Sequence, residues 1–176
     1  MINLFLICLL SMIQPTNTLF EFSVDSDPKS WTVVNDGVMG GLSKGQFTIS
    51  KEGHGVFMGK VSLENNGGFS LIQHRLPSLN VKKYNSLVVR FKGDGKKYQI
   101  RLKTNASDYY NYAVSVQTSG KWETISIPFE SMIPQFRGRL LNASTFPGAQ
   151  IEEVAFLIGN KKAEEFCLEI DWIALK

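Results

Sequence analysis

The sequence predicts an all-β fold, a sandwich or barrel of short antiparallel strands. Three observations carry that expectation. Apolar residues alternate with period two through most segments, the spacing that turns one strand face inward. Turn-forming Gly, Asn, Asp and Pro recur about every ten residues, which suits strands and leaves little room for helices. No stretch sustains the apolar period of a long amphipathic helix.

The elements follow in order. Phe20-Glu21-Phe22-Ser23-Val24 alternates and opens the series. Asp25-Ser26-Asp27-Pro28 reads as a turn, or as one helical turn capped by Asp or Ser with Pro at its start. Trp31 to Ser43 is the densest stretch of the chain. Val33 and Val34 read as strand residues, and Asn35-Asp36-Gly37 stops them, because Asn and Asp bond nearby backbone and Gly accepts positive φ. Gly40 and Gly41 leave bare backbone where a neighbouring segment or a ligand can approach, and Met39 offers a flexible apolar contact. This stretch reads either as a tight inter-strand loop or as a binding loop held on a rigid scaffold.

Gln46 to Ser50 alternates, Lys51-Glu52-Gly53 turns, and Val56 to Leu63 forms the next strand. Glu64-Asn65-Asn66-Gly67-Gly68 is a second strong breaker, and Phe69 to His74 continues beyond it. Leu87 to Lys92 and Tyr98 to Lys103 flank Gly93-Asp94-Gly95-Lys96-Lys97 and read as a β-hairpin with an Asp-Gly turn. Alternation then puts Val89, Phe91, Tyr98, Ile100 and Leu102 on one face. Arg90, Lys92, Gln99, Arg101 and Lys103 fall on the other. Tyr109 to Val116, Trp122 to Phe129, Ile151 to Ile158 and Phe166 to Ile173 are further strands, with Phe166, Leu168, Ile170 and Trp172 sharing one face of the last. Ser131 to Leu141 is mixed, with Arg137-Gly138-Arg139 in a loop.

The whole chain holds 176 residues, 43% hydrophobic and 20% charged, which fits one domain with its own core. A net charge of +3 is too weak to imply nucleic acid. Leu4 to Leu10 is an apolar run with no charged side chain before Glu21. It is too short to span a bilayer and fits a secretory leader, so residues 1–18 are expected to be a signal peptide or N-terminal anchor, cut between Ser11 and Leu19 if cut at all. A mitochondrial leader should be rich in Arg, and this one has none, so the expected location is secreted or periplasmic with a mitochondrial one disfavoured. Without the leader only Cys167 remains, and a disulfide-free secreted domain suits a bacterial periplasm or surface.

The breakers occur in an order that identifies a family. Trp31…Asn35-Asp36-Gly37-Val38-Met39-Gly40-Gly41-Leu42-Ser43 comes first, then Glu64-Asn65-Asn66-Gly67-Gly68-Phe69. Phe91-Lys92-Gly93-Asp94-Gly95…Tyr98, Trp122…Ile127-Pro128-Phe129 and Phe136-Arg137-Gly138 follow. From about Phe20 onward the chain resembles the complex I intermediate-associated protein family. The resemblance implies a galactose-binding-like jelly-roll β-sandwich over residues 19–176. It also implies a non-enzymatic, protein-binding assembly chaperone related to assembly factors of NADH:ubiquinone oxidoreductase. One departure stands before the last strand, where Lys162-Ala163-Glu164-Glu165-Phe166 replaces the family's Gln-x-Gly-Phe turn.

The residues themselves favour binding over catalysis. His54 and His74 sit in no nucleophile or base motif, and Cys167 reads as a small packing residue. No cofactor and no metal are expected. A structural Ca²⁺ held by Asp25, Asp27, Asp36 or Asp94 is the open alternative, since such a site needs only oxygen ligands. The candidate ligand- or partner-binding residues are Asn35, Asp36, Met39, Gly40, Gly41, Asn66, Gly68, Asp94, Tyr110 and Arg137. All lie on glycine-rich loops or at the tyrosine cluster Tyr109, Tyr110 and Tyr112. Fixed polar groups beside a flat aromatic also suit sugar, so a secreted carbohydrate-binding module of galactose-binding-like type is the second expectation. The expected partner is a protein or a glycan, not nucleic acid, and the mature chain is expected to be a monomer outside the membrane.

Overall fold

Alternation becomes thirteen strands in the computed structural model, which describes residues 17–176. The strands are β1 (Thr18–Glu21), β2 (Thr32–Asn35), β3 (Lys44–Ile49), β4 (Gly55–Val61), β5 (Ser70–Asn80), β6 (Ser86–Lys92) and β7 (Lys97–Lys103). They continue with β8 (Asn111–Gln117), β9 (Trp122–Pro128), β10 (Ile133–Phe136), β11 (Arg139–Leu140), β12 (Gln150–Ile158) and β13 (Glu164–Leu175). The expected leader lies outside the described residues except for Asn17 and Thr18, and Thr18 already belongs to β1.

Two antiparallel sheets face each other. One runs β3-β4-β13-β6-β9, with β1 also on β13; the other runs β11-β10-β8-β7-β12-β5-β2. Their inner faces build one apolar core around Phe57, Phe91, Tyr98, Phe156 and Ile170. One end of it is an aromatic cluster in which His74 stacks on Trp31 with ring centroids 5.2 Å apart. The His74 Nδ1 donates to the Ser30 carbonyl at 2.7 Å. His54 lies against Trp122, with ring centroids 4.5 Å apart. Both histidines are packing residues.

Several local expectations hold. Asp27 caps a single 3-10 turn at Pro28–Ser30 by accepting from the Lys29 N–H at 2.9 Å. The mixed stretch after Ser131 resolves into the hairpin β10–β11. Its two-residue turn has Arg137 at φ 48° and Gly138 at φ 76°, as a type I′ turn requires.

The hairpin expected across Asp94 is not there. β6 lies between β13 and β9, whereas β7 lies between β8 and β12 in the other sheet. Residues 93–96 are a corner that carries the chain from one sheet to the other. Asp94 holds that corner from three sides. It accepts from the Lys96 ammonium at 2.7 Å, the Tyr98 hydroxyl at 3.0 Å and the Cys167 N–H of β13 at 3.0 Å. The Thr118 hydroxyl packs so tightly against Gly93 that any Cβ there would collide with it, and it accepts from the Gly95 N–H at 3.0 Å.

The four cations assigned to one face are therefore divided. Arg90 and Lys92 lie on the outside of the six-stranded sheet, paired to Asp171 at 2.9 Å and Glu169 at 3.0 Å. Arg101 and Lys103 lie on β7 in the seven-stranded sheet. The shared face of the last strand also breaks. A bulge between Ile170 and Trp172 leaves Trp172 half-buried and hands the inward position to Ile173.

Candidate functional site: a cationic groove on the seven-stranded sheet

On β7 the core takes Tyr98, Ile100 and Leu102, so Gln99 and Arg101 face outward. Arg101 is flanked in register by Ala113 of β8 and Ala155 of β12. These small neighbours leave a trough in which the guanidinium lies along the sheet. Its Nε and Nη2 donate to the Gln99 Oε1 at 3.0 and 2.6 Å. Burial draws its pKa down to about 10, so it stays charged at neutral pH.

Loops raise walls around this floor. Gly68 and Phe69, Tyr109, Phe136 to Gly138, and Gly159 enclose a cavity of about 310 Å³ over Arg101, Gln99, Asn111 and Leu157. A second cavity of about 230 Å³ shares Gln99, Leu157 and Gly159 and runs on to Lys97, Ser115, Asn160 and Lys161. Together they form one groove, and its lining holds no carboxylate, histidine or cysteine. Tyr109 is 67% exposed and meets the Phe136 ring edge-on, with centroids 5.2 Å apart. The Arg137 guanidinium lies 5.3 Å from the centre of the Phe136 ring.

The residues singled out from sequence divide sharply. Gly68 and Arg137 line the groove. Asp36 does not; it is 3% exposed and spends its carboxylate internally. It accepts from the Ser43 hydroxyl, from the Gly68 N–H at 2.6 Å, the Ser43 N–H at 3.1 Å and the Phe69 N–H at 3.3 Å. Burial pushes its pKa up, but these four donors outweigh burial and hold it below the ordinary value. A Cβ at Gly41 would overlap this carboxylate, which explains the glycine. Asn35 is spent in the same way, on the Gly45 N–H at 3.0 Å and the Ser70 hydroxyl at 2.6 Å. Thus Asp36 fastens Gly68 and Phe69 at the groove wall while its own carboxylate is spent inside.

Asp94 belongs to the sheet corner and contributes nothing to this groove. Gly40 adopts φ 84° and closes the 3-10 turn at Asp36–Met39, while its carbonyl accepts from the Asn65 side chain at 3.0 Å. Asn66 is exposed at φ 61° on the neighbouring turn, outside the groove lining. Met39 lies on the 3-10 turn, and its side chain is outside the described residues. Tyr110 turns toward the core, edge-on to Tyr112 and 3.3 Å from it between hydroxyls. Burial, then the Tyr110 hydroxyl, pushes the Tyr112 pKa up to about 12. Tyr109 holds the exposed place given to Tyr110. Counting back through inward Val116, Val114 and Tyr112 reveals it, because the same parity puts Tyr110 inside.

Beyond Arg101 on the same face, Glu153 is 3% exposed, with Arg75 at 3.6 Å. Burial raises its pKa, and Lys103 and Arg75 offset that only in part. Among the described residues, no group of three or more His, Cys, Asp or Glu is placed to hold a metal ion. No helix among them is long and apolar enough to cross a membrane.

The model of the complex I intermediate-associated protein 30 family matches residues 20–170. The chain is 26% identical over 92% of its length to the mitochondrial complex I intermediate-associated protein 30 of Drosophila melanogaster, and the match spans 63% of that relative. Among solved structures it is similar to a family 11 carbohydrate-binding module from Clostridium thermocellum in complex with a β-1,3-1,4-mixed-linked tetrasaccharide. That likeness has a TM-score of 0.64 and 17% identity, and covers 90% of this chain and 94% of that one. The family 11 module of the cellulosomal cellulase Lic26A-Cel5E of the same organism gives 0.62 and 16% identity, covering 92% of each chain. The fold is thus the all-β, galactose-binding-like jelly-roll sandwich. The expected secreted or periplasmic location, with a mitochondrial one disfavoured, is overturned, because the curated relative is a mitochondrial protein. A short apolar run reports hydrophobicity, and without flanking charge it specifies no destination.

Proposed function

The chain belongs to the complex I intermediate-associated protein 30 family, and from that premise we propose that it is a non-catalytic binding module that docks a protein partner in its groove during assembly of NADH:ubiquinone oxidoreductase. The observation that carries this reading is the groove itself. It is a long trough on a rigid sheet, walled by loops and rimmed by Tyr109 and Phe136, with Arg101 and Gln99 fixed on its floor. Aromatic rims and arginines are the usual anchors of protein interfaces. The absence of carboxylate, histidine and cysteine from its lining favours binding over acid-base or nucleophilic chemistry.

A photo-crosslinking amino acid placed at Tyr109 of the full chain tests this. Crosslinks to subunits of the oxidoreductase from position 109, and none from Lys51 on the β3–β4 turn of the opposite sheet, are expected. Crosslinks to those subunits from Lys51 alone would refute it.

Carbohydrate binding is the second reading. Exposed Tyr109 beside Asn111 and Gln99 offers a stacking face with polar groups, on the fold of known carbohydrate-binding modules. Calorimetric binding of a neutral mixed-linked tetrasaccharide, lost in Tyr109→Ala, would favour it.

A further inference from the structure

Of the 19 lysines and arginines, Arg75, Arg90, Lys92, Lys96 and Lys162 are neutralised by carboxylates within 4 Å. The other fourteen stand in no ion pair among the described residues. What sets four of the fourteen apart, Lys97, Arg101, Arg137 and Lys161, is that they converge on one groove. Arg101 is the most telling. It is partly buried, and its donors meet only the neutral Gln99 Oε1. A desolvated cation without a counter-charge costs stability, and an incoming anion would recover that cost. The charges are also spread out. Lys97 and Lys161 stand at one end of the groove and Arg101 and Arg137 at the other, joined by the Gln99–Leu157 floor. A single small anion would satisfy one end only.

We infer that the groove is built for an acidic polypeptide segment lying extended along the seven-stranded sheet, with carboxylates set toward both cationic ends. The inference rests on the docking reading above and names the chemistry of the docked partner. Four unpaired cations facing one trough also steer an acidic chain toward it before contact. The aromatic rim at Tyr109 and Phe136 then covers the apolar part of the bound segment.

Titrating the full chain with a labelled oligo-glutamate peptide, at low and at moderate salt, tests this. Binding should weaken with salt, since screening acts on these contacts. Lys97→Gln with Lys161→Gln, and separately Arg137→Gln, should each weaken it about tenfold or more, since each removes a charge-assisted contact. Both substitutions are on exposed side chains, so circular dichroism should show the fold intact. Arg101→Gln should weaken binding at least as much. Lys51→Gln with Lys60→Gln, on the β3–β4 turn and on β4 of the six-stranded sheet, should change it less than about twofold.

Equal weakening by the remote pair would reduce the effect to net charge and overturn the inference. Tighter binding of oligo-galacturonate than of oligo-glutamate through the same residues would also overturn it, by making the occupant an acidic glycan. Crosslinking of oxidoreductase subunits at Tyr109 without oligo-glutamate binding would sink the acidic partner and leave the docking reading standing.

Discussion

Two buried carboxylates have opposite effects on this fold. Asp36 is held ionised by four donors, three of them backbone amides, and its pKa lies below the ordinary range. Its contribution is complete above the unfolded value of about 4 and is lost as pH falls through the lower folded value. Asp36→Ala leaves those donors buried without an acceptor and should cost about 3 kcal/mol or more, seen as a lower urea midpoint at pH 7. The gap between variant and parent should close below pH 4. Glu153 has the reverse sign. Burial raises its pKa, so its ionised form opposes folding above the ordinary glutamate range and is relieved as pH falls. Glu153→Gln should therefore raise the melting temperature at pH 7, and a fall would show that Arg75 and Lys103 outweigh burial. The Asn-Asp-Gly signal identified Asp36 as a loop-former. What it could not reveal was the loop served, because Gly68 and Phe69 lie more than thirty residues on.

At the scale of elements, strands were legible and their partners were not. Alternation is local, so β3, β4, β6, β7, β9 and β12 could be read within a few residues of their observed bounds. The Asp94 turn looks the same whether it joins two strands of one sheet or two sheets. The choice is made by Thr118, twenty-three residues beyond Gly95, and by the Cys167 N–H, seventy-three beyond Asp94. Asp94→Ala should accordingly loosen a sheet corner, not a hairpin tip. The expected loss is about 2 kcal/mol, or about 4–8 °C in melting temperature. Hydrogen exchange should rise on β7 and β13 together. Exchange confined to residues 93–97 would mean that the corner is not shared between the sheets. The groove escaped the sequence for the same reason. Lys97, Arg101, Arg137 and Lys161 come from β7 and from two loops, and only the order of strands brings them together.

At the scale of the whole molecule, the six-stranded sheet depends on one late strand. β3 and β4 form one pair, β6 and β9 another, and the two meet only through β13, which also carries β1 and anchors Asp94. During synthesis β13 is the last of the described strands to leave the ribosome. Until it does, β4 and β6 each present an unpaired edge, the kind of surface on which growing chains associate wrongly. The six-stranded sheet thus closes only after residues 164–175 have been made, with high contact order and correspondingly slow closure. Before β13 arrives, the exposed edges of β4 and β6 are open to wrong pairing; once it arrives, both are closed at once by a single strand.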